Sequence, residues 1–306
     1  MYNTFFNFKQ EPFNLTPDPK FVYLSPGHQS ALEHMLYGVD QKKGFVLISG
    51  DIGAGKTTMT RLLLDNLEGK AQTALIFNTF LNEIELLRAI NREFGLPAEG
   101  DSGEGLVRGL NRFLIGQMQN GGNAVLILDE AQNLSVPVLE QIRMLSNLET
   151  DDQKLIQMIL VGQPEIIRTL ARPDLAQLNQ RVTVRCHLAP LGQEDTVRYI
   201  HHRLAVAGPK ALARFDPPSF RLIHRFARGV PRRINALCDR ALLVAFSKGS
   251  HKVTTAFIRQ AQQELTTGVG MSNNGAWFRR LFPRRSLSAL TLAFGAAALA
   301  AAGWPL

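Results

Sequence analysis

Eight consecutive residues, Gly50-Asp51-Ile52-Gly53-Ala54-Gly55-Lys56-Thr57, follow the spacing GxxxxGK[ST]. Phosphate chemistry needs this arrangement. Glycines let the backbone fold closely around phosphate oxygens, so that successive N–H groups point at them. A helix beginning at Lys56 adds its positive N-terminal end. Lys56 is placed to reach β- and γ-phosphates and Thr57 to ligate Mg²⁺, with Thr58 beside them in the phosphate-binding set. A second feature, Val125-Leu126-Ile127-Leu128-Asp129-Glu130, is an apolar strand ending in two acids. Buried in a parallel sheet, it delivers Asp129 to the carboxyl edge, where ligands bind. Asp129 is expected to hold Mg²⁺, mostly through water, and Glu130 to polarise an attacking water. The pair predicts hydrolysis of ATP, with Mg²⁺, rather than transfer to a small acceptor.

The elements around these residues alternate. Apolar runs at Phe45–Ser49, Ala74–Phe77, Ala124–Leu128, Leu155–Val161 and Val182–His187 read as strands. Helical spacing lies between them at 28–39, 56–67, 84–94, 106–118 and 138–148, with 100–105 a loop. This order predicts an α/β fold with a parallel sheet covered on both faces. After Leu188 the segments 196–207, 219–227, 232–247 and 254–265 all read as helices, with no strand between them. The expected organisation is an N-terminal segment 1–23, an α/β domain 24–188, a helical lid 189–267, a Gly/Asn- then Arg-rich linker 268–286 and an apolar anchor 287–304.

Length and composition narrow the class. A chain of 306 residues with 45% hydrophobic and 20% charged residues buries a sizeable core, which excludes a disordered chain and a disulfide scaffold. Cys186 and Cys238 lack metal-ligand spacing, so a structural zinc site is not expected. Half of the net charge of +8 comes from Arg279, Arg280, Arg284 and Arg285. These precede the uncharged run from Leu287 to Gly303, about 25 Å long as a helix and close to a bilayer core. Flanking arginines predict a single membrane span with residues 1–286 in the cytoplasm. Met1–Phe13 has no signal-peptide pattern.

These residues resemble an AAA+ ATPase of P-loop NTPase fold, and more narrowly the ExeA / general secretion pathway protein A group of bacterial ATPases. The specific part is the opening, Tyr2, Phe5-Phe6, Pro12-Phe13-Asn14-Leu15-Thr16-Pro17-Asp18-Pro19, then Tyr23-Leu24-Ser25-Pro26, His28 and Ala31-Leu32. Asp129-Glu130-Ala131-Gln132-Asn133-Leu134 and Val161-Gly162-Gln163-Pro164 are similar too. The resemblance implies that Gln163 is a sensor facing the γ-phosphate and that Asn78 restrains Glu130 when ATP is absent. It implies that Arg181, with Arg172 as competitor, is an arginine finger acting on a neighbouring subunit. Arg232, in Gly229-Val-Pro-Arg232-Arg233-Ile-Asn235, resembles the second sensor, with Arg233 as the neighbour to compare.

The resemblance further implies a homo-oligomer or ring, an inner-membrane location, a companion inner-membrane protein, and a role in type II secretion, pilus or exopolysaccharide assembly. Members of the group commonly continue into a periplasmic part that can bind peptidoglycan. The sequence stops at Leu306, so that property is not carried over. Nine Lys/Arg against two acids between His201 and Arg240 keep open a DNA-dependent ATPase of the transposition-helper type. A scaffold that binds ATP without hydrolysing it is a third class, opposed by the Asp129–Glu130 pair.

Overall fold

The computed structural model describes residues 2–16, 18–77, 79–98, 102–151 and 153–267. In chain order the elements are α1 (Asn3–Phe6), α2 (Pro26–Asp40), β1 (Phe45–Gly50), α3 (Lys56–Leu67), β2 (Gln72–Ile76), α4 (Glu83–Glu93), α5 (Gly103–Gln119), β3 (Ala124–Leu128), α6 (Val136–Leu145), β4 (Gln157–Gly162), α7 (Glu165–Leu170), α8 (Ala176–Arg181), β5 (Val182–Leu188), α9 (Gln193–Ala207), β6 (Arg214–Phe215), α10 (Pro217–Ala227), α11 (Pro231–Ser247), β7 (Lys252–Val253) and α12 (Thr255–Thr267).

β1 to β5 form one parallel sheet in the order β2-β3-β4-β1-β5. β1, β3 and β4 are buried along their whole length. Cover on both faces is why these strands read as continuous apolar runs rather than as alternation. Their side chains still alternate between two layers. Phe45, Leu47, Leu126 and Leu128 pack with Leu86, Leu110 and Ile142 of α4, α5 and α6. Val46, Ile48, Val125 and Ile127 pack with Met35, Met59 and Leu63 of α2 and α3. Each such side chain, removed from water, contributes roughly 1.5–3 kcal/mol before entropy is counted. Local signals start the helices. Ser25 accepts the His28 N–H ahead of Pro26, and Asn82 with Glu85 forms a capping box at α4.

Several boundaries differ from expectation. Ser102 caps α5, so the helix begins at Gly103 inside the predicted loop. Residues 165–181, given no element from sequence, form α7 and α8. β6 and β7 pair in parallel beyond Leu188, where only helices were expected. Two-residue strands are too short to leave a periodic signal. The linker 268–286 and the anchor 287–304 lie outside the described residues. Among the described residues no helix is long and apolar enough to cross a membrane.

Contacts join Met1–Ile258 into one unit, so the sheet and α9–α11 belong together; a second unit runs from Arg259. The N-terminal segment packs on the lid. Lys9 N–H donates to the Ala207 carbonyl at 2.8 Å, and Leu212 N–H donates to the Phe6 carbonyl at 2.9 Å. Tyr2 Oη donates to Asp239 Oδ1 at 2.5 Å. Buried Arg203 of α9 donates to the carbonyls of Pro12 (2.5 Å) and Asn14 (3.1 Å) and stands 4.7 Å over the Phe21 ring.

Gly38 of α2 lies close against β1 of the sheet. A Cβ there would meet Val46 Cγ2 at 2.6 Å. Val46 is buried and β-branched, so it has no free rotamer to yield. In an open helix Gly→Ala stabilises by about 0.5–1 kcal/mol. Gly38→Ala is expected instead to destabilise by about 1–3 kcal/mol, read as a lower urea midpoint at unchanged slope.

Candidate active site

β1 ends at Gly50 and α3 starts at Lys56, so the loop between them turns at the carboxyl edge of the sheet. Gly53 (φ +80°) and Gly55 (φ +104°) are left-handed, a conformation that strains any residue with a Cβ. Gly55 is also the N-cap of α3, and no side chain caps the helix. The first-turn N–H groups of Lys56, Thr57 and Thr58 therefore stay open, as an anion requires. Lys56 Nζ donates to the carbonyls of Gly50 (2.9 Å) and Asp51 (3.2 Å). Buried His28 supports the loop from α2. Its Nε2 lies 3.1 Å from the Ala54 carbonyl oxygen and its Nδ1 2.7 Å from Ser25 Oγ. With the proton on Nε2, the ring donates to Ala54 and accepts from the Ser25 hydroxyl.

β3 carries Asp129 to the same edge. The Asp129 N–H donates to the Ile76 carbonyl at 3.0 Å, and its Oδ1 accepts the Glu130 N–H at 2.8 Å. Glu130 has φ +52°, a rare conformation for a residue with a side chain. Thr79 Oγ1 donates to the Glu130 carbonyl at 3.2 Å. The Glu130 carboxylate accepts from Gln132 Nε2 at 2.6 Å, and Gln132 Oε1 accepts the Gln163 N–H at 2.8 Å.

A cleft of about 420 Å³ opens at this edge, lined by Glu130 but not by Asp129 or Gln132. Its floor is Gly53–Met59, with Glu130 and Gln163 at one side. Asn14, Thr16, Asp18, Phe21 and Tyr23 of the N-terminal segment form another wall. Tyr199, Arg203, Arg232 and Asn235 of the lid complete it. The lid meets the loop directly. Arg232 N–H donates to the Gly53 carbonyl at 3.4 Å, and a Cβ on Gly53 would fall 2.5 Å from Arg232 Cβ.

Burial dominates the electrostatics. It lowers the pKa of the Lys56 ammonium, while Glu130, Asp129 and Asp51 pull it back up. It raises the pKa of the Asp129 carboxyl; the Glu130 N–H opposes this, the Glu130 charge adds to it, and Lys56 opposes it.

The structure gathers Gly53, Ala54, Gly55, Lys56, Thr57, Thr58, Glu130, Gln163 and Arg232 around one cleft. Exposed Ile52 also lines the cleft, whereas Gly50, Asp51 and Asp129 are not among its lining residues. Arg233 lies over the Phe226 ring at 5.4 Å, turned to its own lid. Arg181 is not among the cleft residues. Its Nη1 donates to Ser146 Oγ and to the Arg143 carbonyl (3.2 Å), at the C-terminal end of α6. Arg172 makes a two-bond ion pair with Asp174 on the surface. Asn78 lies outside the described residues.

Sequence reasoning gave no role to Gln132, His28 or Arg203. The first two stand inside the segments that carried the family resemblance. Arg203 carries no local signal that separates it from the other basic residues of the lid.

Residues 39–170 match the AAA domain family. The chain is 43% identical over 305 residues to general secretion pathway protein A of Aeromonas hydrophila, covering 99% of this chain and 53% of that protein. Residues 39–170 thus resemble an AAA domain, and the chain as a whole is similar to general secretion pathway protein A. The chain spans about half the length of that relative. An uncharacterised HTH-type transcriptional regulator of Methanocaldococcus jannaschii is 24% identical over 118 residues, 38% of this chain and 29% of that protein. Among solved structures, ORC2 of Aeropyrum pernix in ADPNP–ADP complexes gives a TM-score of 0.64 at 17% identity, over 87% of this chain and 75% of that one. ORC1 of Aeropyrum pernix in complex with DNA gives 0.60 at 19% identity, over 84% and 70%. A RuvB mutant of Thermotoga maritima gives 0.52 at 16% identity, over 78% and 70%. At these identities the structural likeness shows the fold alone.

The raised pKa of Asp129 gives a signed test. Its protonated form favours the folded state, so at neutral pH the buried charge opposes folding. Asp129→Asn keeps an oxygen for the Glu130 N–H and removes the charge. It is expected to raise the Tm of the nucleotide-free protein at pH 7. That advantage should vanish as pH falls through the raised pKa to below the ordinary value of 3.8, as thermal scans across pH will read.

Proposed function

We propose that this chain is a Mg²⁺-dependent ATPase. The observation that carries the proposal is the convergence, on one cleft, of an open-ended phosphate loop, buried Lys56, Glu130 at the end of β3 and Arg232 from the lid. In this reading the first-turn N–H groups of α3 and the Lys56 ammonium bind phosphate oxygens. The Thr57 hydroxyl and the Asp129 carboxylate are hard oxygen donors that would suit Mg²⁺. A bound Mg²⁺ would neutralise charge developing between the β- and γ-phosphates. Glu130 orients the attacking water and takes its proton. Gln163 and Arg232 contact the γ-phosphate, and closing the lid excludes water from the cleft.

The biological setting follows from the relative and the C-terminal sequence. We assign the turnover to assembly or export through a bacterial envelope machine of the secretion, pilus or exopolysaccharide type. The run 287–304 anchors the chain in the inner membrane, with the ATPase facing the cytoplasm and a companion membrane protein as partner. A homo-oligomer would let Arg181 reach the phosphates of a neighbouring subunit. One observation favours a second reading, DNA-dependent hydrolysis. Arg221, Arg225 and Arg228 are exposed along α10 and its C-cap, at a spacing that shares one face.

Steady-state hydrolysis separates these readings. Wild-type protein is expected to hydrolyse ATP with Mg²⁺ and to lose turnover with EDTA. Lys56→Ala should abolish nucleotide binding. Glu130→Gln should bind ATP normally and lose at least about 100-fold in kcat; a normal kcat in that variant removes Glu130 from the mechanism. A rate unmoved by duplex DNA at fixed moderate salt supports the envelope assignment, and a severalfold rise moves the function to DNA.

A further inference from the structure

Gln132 bonds to two residues that line the cleft, Glu130 and Gln163. Its side-chain amide is held at both ends. The Gln163 N–H can only donate, so the amide end facing it must be the oxygen, Oε1, at 2.8 Å. The NH₂ end then faces Glu130 and donates to Oε2 at 2.6 Å, short for a neutral donor on a carboxylate. The approach of β4 is built for this contact. A Cβ on Gly162 would meet Gln132 Oε1 at 3.0 Å and the Gln132 backbone N at 3.3 Å. The Glu130 backbone is itself fixed, in the left-handed region and with its carbonyl accepting from Thr79 Oγ1 and the Asn133 N–H. What its fixed backbone leaves free is the direction of the carboxylate, and Gln132 donates to that carboxylate.

We propose that Gln132 is a positioning residue that couples the end of β4 to Glu130. Gln163 lines the cleft, and its backbone N–H is held by Gln132. A shift of Gln163 on contact with the terminal phosphate therefore pulls the amide that aims the Glu130 carboxylate. With the phosphate in place the amide aims the carboxylate at the attacking water, and without it the same amide holds the carboxylate away. The inference rests on the hydrolase reading above and deepens it. It assigns the restraint on Glu130 to a residue two positions along the chain.

Gln132→Ala in the full chain is expected to lower kcat about tenfold or more, with the Kd of a fluorescent ATP analogue and the Tm both close to wild type. Gln132→Glu is nearly isosteric. It retains an acceptor for the Gln163 N–H and places a carboxylate against Glu130, so it too should lose kcat while folding normally. Gly162→Ala pushes the same amide aside from the β4 side and should lower kcat in the same direction. In a Glu130→Asp background the shortened carboxylate no longer reaches Gln132, and adding Gln132→Ala should change kcat less than about twofold. Losses that multiply in the double variant, or an unchanged kcat in Gln132→Ala and Gln132→Glu, overturn the coupling while wild-type hydrolysis leaves the function standing. Wild-type protein without hydrolysis removes the function and the coupling together.

Discussion

Lys56 brings an ammonium to a position where only 7% of the residue is exposed, and Asp129, at 2%, brings a carboxylate to the same edge of the sheet. A charge moved out of water without partners is costly, and burial disfavours the ionised form of both groups. Much of the molecule answers that constraint. Two loop carbonyls must converge on Nζ, so the chain between β1 and α3 must fold back through conformations that Gly53 and Gly55 tolerate. Opposite charge must arrive from elsewhere, so β3 must end where β1 ends. A parallel sheet does this, because all its carboxyl ends lie on one edge. The same imbalance suits the site for phosphate, whose negative charge can replace the carbonyls around Lys56.

The lid extends the constraint across the fold. Gly53 has no Cβ and lies against the first turn of α11, so Arg232 stands over the loop through backbone contact as well as charge. The N-terminal segment belongs to this arrangement. Arg203 holds the carbonyls of Pro12 and Asn14, and the residues that follow form a wall of the cleft. A buried guanidinium that spends its donors on backbone carbonyls specifies where that segment runs. The opening residues are thus part of the site, although they contain no catalytic group.

Legibility differed between kinds of structure. Strands β1, β3 and β4 were readable because burial on both faces makes them uniformly apolar. β6 and β7 were not, since pairing of two residues depends on the partner and not on local pattern. α7 and α8 are six residues each, shorter than a reliable helical period. The phosphate loop and the Asp129–Glu130 pair were readable because consecutive residues carry the chemistry. Arg203 looked like one of many basic residues on the lid until its burial separated it from them. Arg181, read from its position alone, is held in this chain against the end of α6.

The order of residues was enough to determine a P-loop with its acidic strand, the alternation that makes a parallel sheet, and the helical character of the segments α9–α11 that follow it. Each is encoded by neighbours a few residues apart, where backbone geometry and periodicity act directly. Tertiary structure alone decided which groups meet: Gly53 with Arg232, His28 with Ala54, Arg203 with the N-terminal segment, and Gln132 between Glu130 and Gln163. These contacts join distant or oppositely directed segments. Side-chain identity there specifies what a residue can donate or accept, and only the packed fold specifies to whom.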